Sequence, residues 1–123
     1  MSKSTDKKVK YEQVFTDAEA KRKQLEEKFK GKIRMAILAT GLETEPCVVY
    51  FRAATTYTKM QCMDVAMQSP MKASAMLFDA TVIKESSDAR VFDRDNDNDT
   101  YYLGAIDYCL EMIVVARDVL KKK

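Results

Sequence analysis

TYYLGAIDYCLEMIVVARDVL, residues 100–120, is the stretch from which the rest of the fold is read. Leu103, Ile106, Leu110, Ile113 and Val114 follow at spacings of three, four, three and one. That lays them on one broad face of an α-helix. Asn98 or Asp99 stands ahead of it, able to accept hydrogen bonds from first-turn amides. Lys121, Lys122 and Lys123 follow the last turn, where cations suit the helix dipole. No side chain on this helix is strongly reactive, so it is expected as core.

The segment before it, residues 84–99 (KESSDARVFDRDNDND), has no periodicity and is acidic. So long a connection is unusual in a compact domain and points to a functional or mobile loop, with Val91 and Phe92 as its anchors. Asp93, Asp95, Asp97 and Asp99 alternate as calcium ligands do. A calcium loop also needs glycine at its sixth position and glutamate at its twelfth. Counted from Asp93, those positions hold Asn98 and Gly104; from Asp95, Thr100 and Ile106. Both frames fail, so no metal is expected, and the carboxylates read as a solvated run capping the last helix.

Upstream, Ser69 followed by Pro70 is a helix start, with serine as cap and proline in the first turn. The spacing predicts a helix over 70–81, preceded by one over 57–68 capped by Thr55 or Thr56. Met60, Met63, Met67, Met71 and Met76 crowd this pair. Methionine fills irregular cores, but it also suits surfaces that grip several partners. Both readings stay open.

Ile33, Met35 and Ile37 alternate with Lys32, Arg34 and Ala36, the pattern of a half-buried strand. TGLETEP, residues 40–46, is turn chemistry, and CVVYF, residues 47–51, is the returning strand. A lone antiparallel hairpin is marginal, so it must pack on helices or pair with another chain. Lys32 and Arg34 guard the first strand, whereas Val48, Val49 and Tyr50 leave the second nearly uncharged and so expected at a contact.

Thr16 and Glu19 make a capping box, with Phe15 ahead of it as a staple. A helix is therefore expected from Thr16, with Ala18, Leu25 and Phe29 as its docked stripe and Gly31 as its left-handed end. Residues 1–10 (MSKSTDKKVK) are polar and lysine-rich. The organisation expected is a flexible basic arm over residues 1–14 and one domain over 15–123. The arm reads either as a solvated end or as a contact for phosphate or an acidic partner. The fold class is α+β: an antiparallel hairpin packed with about four α-helices, the last one long.

At 123 residues the chain forms one domain, burying roughly two-thirds of its unfolded surface. Its 46% hydrophobic and 33% charged residues are ordinary for a globular protein. Histidine is absent, which excludes Ser-His and Cys-His nucleophile pairs within the chain. Cys47, Cys62 and Cys109 lack CxxC spacing and read as reduced, buried thiols. No apolar run reaches the roughly 18 residues of a membrane span, and no signal segment follows the N-terminal lysines. Three glycines make no phosphate-cradling loop, and no carboxylate or thiol has an orienting partner. Neither catalytic residues nor a cofactor is expected. The net charge of +2 and the acids around Tyr101, Tyr102 and Tyr108 argue against nucleic-acid binding.

One resemblance adds to this reading. Phe29-Lys30-Gly31-Lys32, Tyr50-Phe51-Arg52, Ser69-Pro70-Met71-Lys72-Ala73, Tyr102-Leu103-Gly104-Ala105 and Leu110-Glu111-Met112-Ile113 occur in this order. In this the chain resembles small tail-assembly-chaperone-like proteins of phages of Bacteroidetes-type hosts, over residues 17–123. It departs from them in having Ala53-Ala54-Thr55-Thr56 after the second strand, where they tend to be basic with a proline, and in lacking tryptophan. The resemblance implies a non-enzymatic morphogenesis protein that binds phage structural proteins, in the host cytoplasm or the virion. A structural component of the particle is the alternative, and a small nucleic-acid-binding or regulatory module a further one. The partner-binding residues expected are Val48, Val49, Tyr50, Met60, Met63 and Met67, with a homo-oligomer as one form of the contact.

Overall fold

The structure is a computed structural model that describes the backbone of residues 3–40 and 45–122 and the side chains of residues 11–40 and 45–113. Its elements are α1 (Lys3–Phe29), β1 (Ile33–Leu38), β2 (Cys47–Arg52), α2 (Thr56–Ala66), α3 (Pro70–Thr81), a 3₁₀ turn (Ala89–Phe92) and α4 (Thr100–Lys122). The fold is α+β: an antiparallel hairpin packed with four helices among the described residues.

The hairpin separates two cores. Met35 pairs with Tyr50, Ala36 with Val49 and Ile37 with Val48. Alternation along the strands turns Ile33, Met35, Val48 and Tyr50 to one face, where Leu25 and Phe29 of α1 and Ile83 join them. Ala36, Cys47, Val49 and Phe51 face the other way, onto Cys62 and Ala66 of α2, Leu77 and Phe78 of α3, and Ala105 and Cys109 of α4. Aromatic rings tie this larger core together. Phe51 stacks on Tyr108 at 5.4 Å between centroids, and Phe78 meets Tyr102 edge-on at 5.4 Å. These tyrosines are packing surface rather than free stacking platforms.

Local chemistry accounts for the short helices. Thr55 caps α2 by accepting from the Thr58 amide at 3.1 Å, and Ser69 caps α3 by accepting from the Lys72 amide at 3.4 Å. Val91 is fully buried and anchors the acidic connection, as its sequence implied.

Three expectations are corrected. Thr16 does not start a helix. Residues 3–14, read as an arm, have helical backbone continuous with α1. The Thr16 hydroxyl donates to the Glu12 carbonyl at 3.0 Å, the back-bond of a mid-helix threonine, and Glu19 pairs with Arg22 instead of capping. The left-handed residue after α1 is Lys30, at φ 53°, and not Gly31, whose amide donates to the Glu26 carbonyl at 3.3 Å. On α4 the buried line is Ala105, Ile106, Cys109 and Ile113, while Leu103 is exposed. A Cβ at Gly104 would meet Leu38 Cδ2 at 3.5 Å, ordinary van der Waals contact, so the helix packs against β1 at this point. Ala105 and Cys109 are turned into the larger core, and Leu103 lies outside it. Val114 lies outside the described side chains.

Candidate functional site

The strand edges come first, because the sequence placed a contact there. The outer edge of β2 is covered. The Tyr50 carbonyl accepts from the Ile83 amide at 2.8 Å, and the Val48 carbonyl from the Asp88 amide at 2.9 Å. The Tyr50 amide donates to Ser87 Oγ at 3.0 Å. Residues 82–88 thus act as a partial third strand, with Val82 bridged to Phe51. Val49 and Tyr50 are buried, and Tyr50 donates its hydroxyl to the Ala18 carbonyl at 2.9 Å. The expectation that Val49 and Tyr50 form contact surface is therefore corrected: they are core, and Val48 is half-buried beside them.

The edge left over belongs to β1. Since Tyr50 and Val48 direct their bonds away from β1, their partners Met35 and Ile37 direct theirs away from β2. At Ile33 the same outward groups are satisfied by α1: its amide donates to Glu26 Oε2 at 3.1 Å, and its carbonyl accepts from Arg22. At Met35 and Ile37 the outward amides and carbonyls meet no partner among the described residues.

The connection over residues 84–99 is held by one side chain. The Arg90 guanidinium donates to Asp88, to the Glu45 and Pro46 carbonyls at 3.0 and 3.1 Å, and lies 4.8 Å from the Tyr101 ring centre. Arg90 in turn holds the Asp88 carboxyl below the usual aspartate range through its hydrogen bonds. The segment's first half is thus a clamp joining β2, the 3₁₀ turn and α4.

The methionines divide. Met60 is 60% exposed and Met67 81% exposed. With Tyr57 they recur at three and seven residues along α2, which places them on one outward face. Met63 points elsewhere, into a cavity of about 340 Å³ between the hairpin's end, α2, α3 and α4. Lys32, Arg34, Arg52 and Lys59 stand around the mouth of that cavity. Sequence reasoning missed this cluster: Lys32 and Arg34 were read as guards of a strand edge, and Arg52 and Lys59 lie seven residues apart on different elements.

Burial keeps the three thiols free and protonated. It pushes Cys47 up to about 11 and Cys109 up to about 12, and raises Cys62 as well. No described helix is long and apolar enough to cross a membrane.

The fold and these surfaces define a small α+β chain with an apolar helix face, an open strand edge and a basic cavity. Comparison with protein-family models, curated proteins and solved structures yields no match.

Proposed function

We propose that this chain is a non-enzymatic phage morphogenesis protein, tail-assembly-chaperone-like, that holds other virion proteins through the outer face of α2. The observation that carries this reading is the exposure of Tyr57, Met60 and Met67 together on one helix face. Solvent-facing methionines accommodate partners of varied shape, which a protein that handles other chains needs. The three thiols are buried and protonated, which makes them poor nucleophiles. The host cytoplasm during assembly, or the virion, is the place this role requires.

The Met35 and Ile37 backbone groups, unpartnered among the described residues, favour a second reading, a structural component of the particle. A strand edge of this kind pairs with further subunits or with an added partner strand.

Co-expression with phage tail, connector and head proteins tests the proposal. The wild type is expected to co-elute with at least one of them, and Met60→Asp combined with Met67→Asp to abolish co-elution at unchanged melting temperature. Retention of every such partner by the double variant would remove the α2 face from the proposal. Co-elution of the wild type with none of them would remove the assembly role.

A further inference from the structure

The cavity between the hairpin's end and the helices belongs to neither the α2 face nor the strand edge. Its floor is apolar: Cys62 and Ile113 are buried there, with Leu77 and Met112 beside them. Among the described residues its mouth carries Lys32, Arg34, Arg52 and Lys59 and no carboxylate. Thr81 is the remaining polar lining group, and its hydroxyl is committed to the Leu77 carbonyl.

Among the described residues the charges at the mouth also have no carboxylate partner. Five arginine side chains are described. Arg22, Arg90 and Arg94 each pair with a carboxylate. Arg34 and Arg52 do not, and both stand at this cavity. The Arg52 guanidinium carbon stands over Phe29, 4.8 Å from its ring centre, a contact that does not neutralise the charge. Four cations around one mouth repel one another and attract an anion there.

We propose that this cavity binds a small amphiphilic anion: a carboxylate or phosphate head among the cations at its mouth, with an aliphatic body on the Cys62–Ile113 floor. The size agrees. At about 30 Å³ for each water-sized group, 340 Å³ holds on the order of ten such groups. The guanidinium suits both heads, because its fork donates in parallel to two oxygens. The body supplies the burial and the head the selectivity, the usual division in small-molecule pockets.

Titration calorimetry on the full chain tests this with decanoate and decyl phosphate as probes. Decanol controls for the head and acetate for the body. Saturable one-to-one binding of decanoate or decyl phosphate is expected, with both controls at least tenfold weaker. If only the phosphate probe binds, the head is phosphate; if only decanoate, it is carboxylate. Arg34→Gln combined with Lys59→Gln should weaken binding at least tenfold at unchanged melting temperature, since both side chains are exposed. Ala54→Phe, which intrudes on the cavity from its rim, should weaken it while leaving all four cations in place. Absence of saturable binding of both probes at millimolar concentration would overturn the proposal. So would binding that the Arg34–Lys59 double variant and the Ala54 variant leave unchanged. Tight binding of a short acidic peptide with an apolar tip, without binding of either probe, would reassign the cavity to a protein segment. These probes do not involve Met60 or Met67, so the outcome is independent of the assembly role.

Discussion

Lys30 carries a local cost that its own sequence could remove. A β-carbon in the left-handed region crowds the backbone by about 1–2 kcal/mol, and Lys30 sits there at φ 53° to end α1. Lys30→Gly is expected to stabilise the fold by about 0.5–1 kcal/mol, the gain at φ offset by glycine's greater freedom when unfolded. Urea unfolding measures it, and a loss of stability would mean that Lys30 makes a compensating contact. The cysteines set a second residue-scale expectation. Cys47, Cys62 and Cys109 are buried and protonated, so iodoacetamide at pH 8 should leave the native chain unmodified and add three groups after denaturation without reductant. Their raised values have a stability consequence. An unfolded thiol ionises near ~8.5, so their contribution is intact below that pH and is lost as pH rises toward about 11 at Cys47 and about 12 at Cys109.

At the scale of elements, the connection from α3 to α4 does the work of a strand and a clamp. Asp88 is central to it: its amide closes the β2 edge and its carboxylate holds Arg90, which reaches Pro46 and Tyr101. Because Arg90 lowers the Asp88 carboxyl, the stabilisation is present above the unfolded value of about 3.9 and fades as pH falls through the lower folded value. Asp88→Asn is therefore expected to cost about 1–2 kcal/mol at pH 7. Its stability should fall less steeply than the wild type's below about pH 4. Urea midpoints between pH 6 and pH 2, at about six values, would decide this; parallel curves for the two proteins would contradict the clamp. The acidic run Asp93–Asp97 beyond it is exposed and plays no part in the clamp.

For the whole molecule, the hairpin lies between α1 and the α2–α3–α4 layer, and both faces of β2 are consumed by packing. A charge at Val49 would enter the larger core beside Phe51 and Phe78 with no counter-ion. Val49→Lys is thus expected to cost at least about 4 kcal/mol, a large share of a small domain's stability, and to lose the helical circular dichroism signal on mild heating. Met60→Lys, on the outer face of α2, should shift stability by no more than ~0.5 kcal/mol. If Val49→Lys melted like the wild type, the placement of β2 in the centre would be wrong.

The sequence by itself determined the features whose chemistry is local. Thr55 or Thr56, and Ser69 with Pro70, mark helix starts because caps act over three residues, and the structure selects Thr55. The alternation in Ile33–Leu38 marks a strand, and the isolated apolar pair Val91-Phe92 marks an anchor, because each pattern is complete within a few positions. Only the tertiary structure decided the rest. A capping box at Thr16 and Glu19 competes with helix continuing from Lys3, and nothing within those four residues ranks the two. On α4 apolar residues surround so much of the axis that spacing alone does not fix the buried line; packing in the larger core does, burying Ala105 and Cys109 and leaving Leu103 outside. Which strand keeps an open edge depends on residues 82–88 returning to β2 from more than thirty positions away. The basic cavity brings together Arg34, Arg52 and Lys59 from three elements. Charge placed by packing of distant segments has no signature in sequence spacing.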